Sequence, residues 1–297
     1  MCRRLLKEGN KVIAIDNLLT GCQANIQDLL SLKNFTFIKY DITRPLPIKK
    51  LPAKIDYILD MACPASPVDF PRLPLEIMTV SSQGLKNLLE LAKKHQARLV
   101  QASTSEVYGD PLRHPQKETY WGNVNCYGPR SCYDEGKRFA EALVYNYRRK
   151  FNLNTGIVRI FNTYGPYMRP DDGRVVSNFI VQALEGKNLT VYGTGNQTRS
   201  FCYIDDMVEG ILKMMESQEE GPINLGNPRE FKIIDLAKLV IKFVGKKNKI
   251  VFHSLPKDDP EKRRPYINLA RQKLGYRPKI KLEEGLKKTI EWFKTKV

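Results

Sequence analysis

No apolar run in this 297-residue sequence approaches the ~18 residues that a membrane-spanning helix needs. The Leu5-Leu6 pair behind Met1 is likewise too short for the core of a signal peptide. Among the six cysteines (2, 22, 63, 126, 132 and 202) no two form a CxxC pair. That removes the usual zinc and dithiol signatures and points to reduced thiols in a cytoplasmic protein. The three histidines, at 95, 114 and 253, are too scattered to suggest a metal site. There is no internal repeat and no low-complexity segment. No basic-aromatic repeat, zinc finger or helix-turn-helix pattern accompanies the net charge of +17. A basic surface that draws in a small polyanion, such as a nucleotide, is therefore preferred to nucleic acid binding.

One further lack is local. The chain opens with "CRRLLKEGN", which reads as the last turns of a helix ending at Gly9-Asn10. The β-branched run Val12–Ile15 follows and ends at Asp16. Helix, strand and acid make the second half of a dinucleotide-binding βαβ unit, whose first half is a strand and a glycine-rich phosphate turn. Ahead of this helix there is no room for them. The expectation is that roughly twenty residues of the unit are missing, through a start assigned too late or a truncated product, and that the chain as written holds a dinucleotide poorly. "GTGN" at Gly193–Asn196 does not replace the loop, because "QTRSFCY" after it is not helical; a tight turn is the better reading.

Strand-like runs at Val12–Ile15, Phe35–Ile38, Tyr57–Leu59, Leu99–Ala102, Ile157–Phe161 and Leu189–Tyr192 alternate with helical spacing at Ile77–Lys94, Tyr133–Lys150 and Val175–Leu184. Alternation predicts an α/β fold, a doubly wound, Rossmann-type parallel sheet with helices on both faces. Composition shifts after Gly165-Pro166, where a smaller α/β substrate lobe is placed. Residues 1–165 with about 203–222 then make the dinucleotide lobe, and 166–202 with 223–297 the substrate lobe.

Within this frame, Tyr133 and Lys137 stand four apart on one predicted helix and face the same way. A lysine ammonium beside a phenol favours phenolate and lowers its pKa from about 10, making a base for a sugar hydroxyl. Thr104, at the end of the Leu99–Ala102 run, can hold the same oxygen. The spacing alone is equally that of an ordinary amphipathic helix; the Ser/Thr-bearing strand end in an alternating chain favours chemistry.

With "ASTSEVYGDP", "HPQKETYWGNVN", "GPRSCYDEGKR", "RIFNTYGP", "DGRVVSNFI", "VYGTGNQTRSF" and "INLGNP", the chain resembles the extended short-chain dehydrogenase/reductase family, and within it the branch that decarboxylates UDP-glucuronate. The resemblance runs from about Val12 to the C-terminal helix. It implies NAD as cofactor, a UDP-sugar as substrate and UDP-xylose as product. It implies catalytic roles for Thr104, Ser105, Glu106, Tyr133, Lys137 and Arg263. It puts Asp16, Asn17, Leu19, Thr20, Gly21, Asp41, Ile42, Ser103 and Thr163, with Tyr133 and Lys137, against NAD. It puts Asn162, Arg174, Val175, Val191, Tyr192, Gln197 and Arg199, with Glu106 and Arg263, against the UDP-sugar. Forked arginines suit a diphosphate. A homodimer built by the Tyr133 helix and the helix before it is also implied, with no membrane or nucleic acid partner.

Several residues depart from the family pattern: Asp60 for a usual His, Ser81 for Asn, Cys126-Tyr127 for Pro-Ile, Tyr167 for Arg and Tyr266 for Asp. They leave the implied catalytic set intact. A 4,6-dehydratase or 4-epimerase of the same fold, or a truncated, non-catalytic nucleotide-sugar-binding protein, stays open beside the decarboxylase. A dehydratase needs an acid where this chain has Ser105, and an epimerase has no use for Glu106 near C5 and C6.

Overall fold

The structure, a computed structural model, describes residues 1–254 and 262–297. In chain order its strands are β1 (Val12–Asp16), β2 (Phe35–Lys39), β3 (Tyr57–Asp60), β4 (Arg98–Thr104), β5 (Thr155–Ile160), β6 (Thr163–Tyr164), β7 (Leu189–Tyr192), β8 (Thr198–Ser200), β9 (Cys202–Tyr203), β10 (Ile223–Leu225), β11 (Glu230–Lys232), β12 (Ile250–His253) and β13 (Lys262–Arg263). The helices are α1 (Cys2–Lys7), α2 (Pro74–Thr79), α3 (Leu85–His95), α4 (Ser131–Phe151), α5 (Val175–Leu184), α6 (Ile204–Glu216), α7 (Ile233–Val244), α8 (Asn268–Leu274) and α9 (Leu282–Phe293). Among the described residues no helix is long and apolar enough to cross a membrane.

The expected parallel sheet is present, with β10, β5, β4 and β3 side by side in that order. Every residue of β4 is buried, as in a strand covered on both faces. Leu99 of β4 and Ile157 of β5 face a core with Leu85, Leu89, Ala140 and Val144, so α3 and α4 cover that side. Val100 and Val158 face the other way, onto Met207, Ile211 and Met214 of α6. β1 and β2 pair in parallel with each other but belong to a separate two-stranded sheet, and among the described residues no strand bridges β1 to β3. Ile223–Leu225, placed in the second lobe from the sequence, is instead the edge strand beside β5. A further core gathers α5, α7 and α9 around β7 through Phe179, Ile180, Leu189, Leu236, Leu286 and Phe293.

The predicted helix Ile77–Lys94 is interrupted. A π-helical turn, Val80–Gly84, separates α2 from α3. Positions 77, 81, 85 and 89 are all buried, a spacing of four that is longer than the α-helical period. The wider turn lets them keep one inward face. After β7, Gly193 and Gly195 both have positive φ, 63° and 75°, so "GTGN" is the tight turn its sequence suggests.

Candidate active site

Parallel strands deliver their carboxyl ends to one edge of the sheet, and ligands of such folds bind outside that edge. β4 stops at Thr104, whose hydroxyl accepts the Glu106 N–H (3.2 Å) and starts a 3-10 turn through Ser105–Tyr108. β5 stops at Ile160 and leads into Asn162. The first turn of α4 brings Tyr133 against both. Here a cavity of about 480 Å³ opens, lined by Ser103, Thr104, Ser105, Glu106, Tyr133, Lys137, Asn162, Thr163, Arg174, Val175, Tyr192, Gln197, Arg199 and Arg263. These residues span 160 positions of sequence, and the fold brings them to one place.

Tyr133 is buried and its ring stacks on Phe70 at 5.0 Å, nearly parallel. Its hydroxyl is within hydrogen-bond reach of Thr104. Lys137 Nζ donates to the Ala102 carbonyl (3.0 Å) and lies 6.0 Å from the Tyr133 ring centroid. The expected downward pull of Lys137 on the phenol is present, but burial outweighs it and the net shift is upward. Burial also opposes the Lys137 charge, yet Cys63, Tyr133 and Asp60 around it more than compensate, and its pKa is raised.

Glu106 is clamped by two guanidiniums. Arg263 reaches it with both Nη atoms, Nη2 at 2.9 Å, and Arg130 Nη2 donates to it at 2.7 Å. Burial alone would push this carboxyl up; Arg263 and Arg130 win and hold it at about 2. Arg263 comes from β13, aligned beside Arg199 of β8. Only "KRRPY" of the stretch "DDPEKRRPY" falls within the described residues. Arg174 pairs with Asp172 at 2.8 Å, and Gln197 Nε2 donates to the Tyr192 carbonyl at 2.6 Å. Arg130, Lys137, Arg174, Arg199 and Arg263 make the cavity wall strongly cationic, with Glu106 as its acid.

The other predicted positions lie elsewhere. Asp16 ends β1 and accepts the Leu18 N–H at 2.7 Å, while Asn17 Oδ1 accepts the Leu19 N–H at 3.0 Å. The backbone at Gly21 passes so close that a Cβ there would sit 3.3 Å from both Asp16 carboxylate oxygens. Thr20 precedes it in the same turn. Burial raises Asp41, but hydrogen bonds from Thr43 and Asn17 prevail and its net shift is downward, so Asn17 ties β1's end to β2's. Ile42 is buried against Gly84. None of this group lines the cavity, and neither does Val191, whose side chain is in the β7 core.

Sequence reasoning passed over Arg130, although it stands inside a quoted motif; nothing in the residue type sets it apart from a surface charge. It also passed over the surroundings of Lys137. Two departures from the family pattern meet there: Asp60 is buried with its carboxyl pushed up by desolvation against the opposing pull of Lys137, and Ser81 Oγ lies 3.8 Å from Cys63 Sγ. Tyr167 packs under Arg3 and against Trp292, and Tyr266 lies under Lys117; Cys126 and Tyr127 are exposed. Among the described residues no cluster of His, Cys, Asp and Glu could hold a metal ion.

Comparison with known proteins gives a consistent picture. The model of the NAD dependent epimerase/dehydratase family matches residues 1–226. The chain is 48% identical over 294 residues to UDP-glucuronic acid decarboxylase 4 of Arabidopsis thaliana, covering 99% of this chain and 65% of that one, so it spans slightly less than two thirds of that relative's length. It is 48% identical over 290 residues to UDP-glucuronic acid decarboxylase 5 of the same plant, covering 98% of this chain and 84% of that one. Among solved structures, UDP-glucuronic acid 4-epimerase from Bacillus cereus, in complex with UDP-glucuronic acid and NAD, superposes with a TM-score of 0.90 at 29% identity, covering 100% of this chain and 95% of that one.

Proposed function

The chain belongs to the NAD dependent epimerase/dehydratase family, and from that membership we propose that it decarboxylates UDP-glucuronate to UDP-xylose. The observation that carries the reading is the meeting, in one cationic cavity, of the Tyr133–Lys137–Thr104 set with a Glu106 clamped by two arginines. The identity to decarboxylases supports it.

The residues fit NAD by the chemistry of their donors and acceptors. Asp16 is an exposed carboxylate at the end of a parallel strand, suited to paired ribose hydroxyls, and a Cβ at Gly21 would crowd it at 3.3 Å. Asn17, Leu19, Thr20, Asp41 and Ile42 would complete the adenosine end, and Ser103, Thr163, Tyr133 and Lys137 the nicotinamide end. When bound, NAD supplies a hydride acceptor for C4 of the sugar and later a hydride donor to the same carbon.

The protein's share is proton handling and charge. Tyr133 Oη takes the proton of the 4-hydroxyl, with Lys137 favouring the phenolate and Thr104 holding the oxygen. The 4-ketone is β to the C6 carboxylate, so carbon dioxide leaves and its bonding electrons delocalise onto the ketone oxygen, where donors stabilise the enolate. Glu106 and Arg263 position the carboxylate and govern the proton delivered to C5. Arg174 and Arg199 suit the diphosphate; Asn162, Val175, Tyr192 and Gln197 shape the uridine end, while Val191, in the β7 core, supports this wall from behind. The NAD-binding lobe, residues 1–165 with about 203–222 and β10, and the lobe formed by the rest close around the cavity. Leu75, Met78 and Phe139, exposed on α2 and α4, support a homodimer through these helices.

Incubation with UDP-glucuronate and NAD, of the chain preceded by a strand and a glycine-rich turn that complete the dinucleotide unit, tests the reaction. Carbon dioxide and a UDP-pentose should appear without net NADH. Return of the C4 epimer with its carboxylate retained, or a 6-deoxy-4-keto product from a nucleotide-glucose, overturns the decarboxylase in favour of an epimerase or a dehydratase.

A further inference from the structure

Two loops meet along one wall of the cavity. The first follows β3 and contributes Ala65, Pro67 and Phe70 to the wall; the second runs from β6 to α5 and contributes Met168, Gly173 and Arg174. An ion pair joins them. Asp69, only 1% exposed, accepts from Arg169 Nη2 with both carboxylate oxygens, at 3.2 and 3.0 Å. Arg72 Nη1 adds a looser contact to Asp69 at 3.7 Å from an exposed side chain. Beside the pair, the buried Ser66 hydroxyl donates to the Asp172 carbonyl. At Gly173 the loops run so close that a Cβ would lie 2.3 Å from Val68 Cγ1.

A carboxylate taken out of water is tolerated only where it is paired and hydrogen-bonded, so Asp69 holds Arg169 in place. The Asp69 side is the anchor, because the adjoining Phe70 is buried with Ile77, Cys132 and Tyr133. The Arg169 side is the part held. Its backbone passes through positive φ at Tyr167 (71°) and Gly173 (84°), and for a tyrosine that conformation is costly and persists only where the surroundings impose it. Beyond Arg169 comes Asp172, whose carboxylate lies 2.8 Å from Arg174 Nε and accepts from Arg174 Nη2 at 3.2 Å. We propose that Asp69 and Arg169 are positioning residues for the substrate's diphosphate: their ion pair fixes the loop that, through Asp172, sets Arg174 in the cavity wall. This rests on the reading that the substrate is a UDP-sugar with its diphosphate at Arg174.

A pair that only stabilised the fold would change the melting temperature, and any effect on ligand affinity would not depend on Arg174. A positioning pair acts through Arg174, so its effect on affinity disappears once that side chain is gone. The two roles therefore differ in a measurable way.

The test is calorimetric binding of UDP, which needs neither NAD nor turnover. Arg169→Met should weaken UDP binding about fivefold to tenfold. Asp69→Asn keeps the side chain's shape and one acceptor oxygen for Arg169, and should weaken it about threefold. In an Arg174→Gln background, itself weaker for UDP, either substitution should cost less than about twofold more. An Asp69→Asn chain that binds UDP as the parent does overturns the proposal whether or not Arg169→Met folds. Equal losses with and without Arg174 overturn it too, and leave the pair a structural staple. A parent that does not bind UDP removes the UDP-sugar reading and the proposal with it. A parent that binds UDP but shows no Arg174-dependent loss removes the proposal alone.

Discussion

At the scale of single residues, Tyr133 sits between opposing effects. Burial holds its phenol above the ordinary value, and Lys137 is the nearest charge pulling it down. Replacing Lys137 with Met should therefore move the phenol further up. Turnover at neutral pH should fall by about 10²-fold or more, and the loss should shrink as pH rises and phenolate forms unaided. A loss independent of pH would mean that Lys137 acts only by binding. Tyr133→Phe should cost as much at every pH yet keep the stack on Phe70, so its stability should fall by only about 1 kcal/mol, the worth of the lost hydroxyl contact to Thr104. Tyr133 and Lys137 were legible as a pair because helical periodicity alone aligns them. Arg130 was not legible, because its significance lies in Arg263, more than a hundred residues away along the chain.

At the scale of elements, α4 is the support on which this chemistry stands, and it approaches the π-helical turn closely. Gly136 faces Ser81, and a Cβ built there would lie 3.4 Å from the Ser81 side chain. That is ordinary contact distance, so Gly136→Ala should gain helix propensity, raising stability by up to about 1 kcal/mol. Gly136→Leu should overpack the same gap and lose about 1–3 kcal/mol, moving Tyr133 and reducing turnover with it. Urea midpoints of the two variants check this; equal effects of both would mean that α4 and the π turn have slack between them. The turn itself was hidden in the sequence. Apolar spacing at 77, 85 and 89 reads as a helix, and only the packed partner reveals that one turn must widen to keep that spacing inward.

At the scale of the whole molecule, the apolar side chains left exposed on α2 and α4 matter more than the charge. Leu75 is 72% exposed and Phe139 51%, beside buried Ile77 and Ala140. The proposed dimer buries them. Light scattering on a Leu75→Glu, Phe139→Glu double variant should then give the monomer mass where the parent gives twice that. A parent that is monomeric at micromolar concentration, or a double variant that stays dimeric, would rule out this face. The basic surface is a different matter: a net charge of +17 speeds the approach of polyanions but does not choose among them.

Fold class, the Tyr133–Lys137 pair and the strand-end hydroxyls were determined by the sequence itself, because each depends on local periodicity that neighbouring residues suffice to set. The separation of β1 and β2 from the main sheet, the place of Ile223–Leu225 at the edge beside β5, and the double clamp on Glu106 were decided only by the tertiary structure. They depend on which distant strands are hydrogen-bonded and which distant charges are desolvated together. The energy of a charge pair depends on distance in space and on the water excluded around it, and neither is encoded by spacing along the chain.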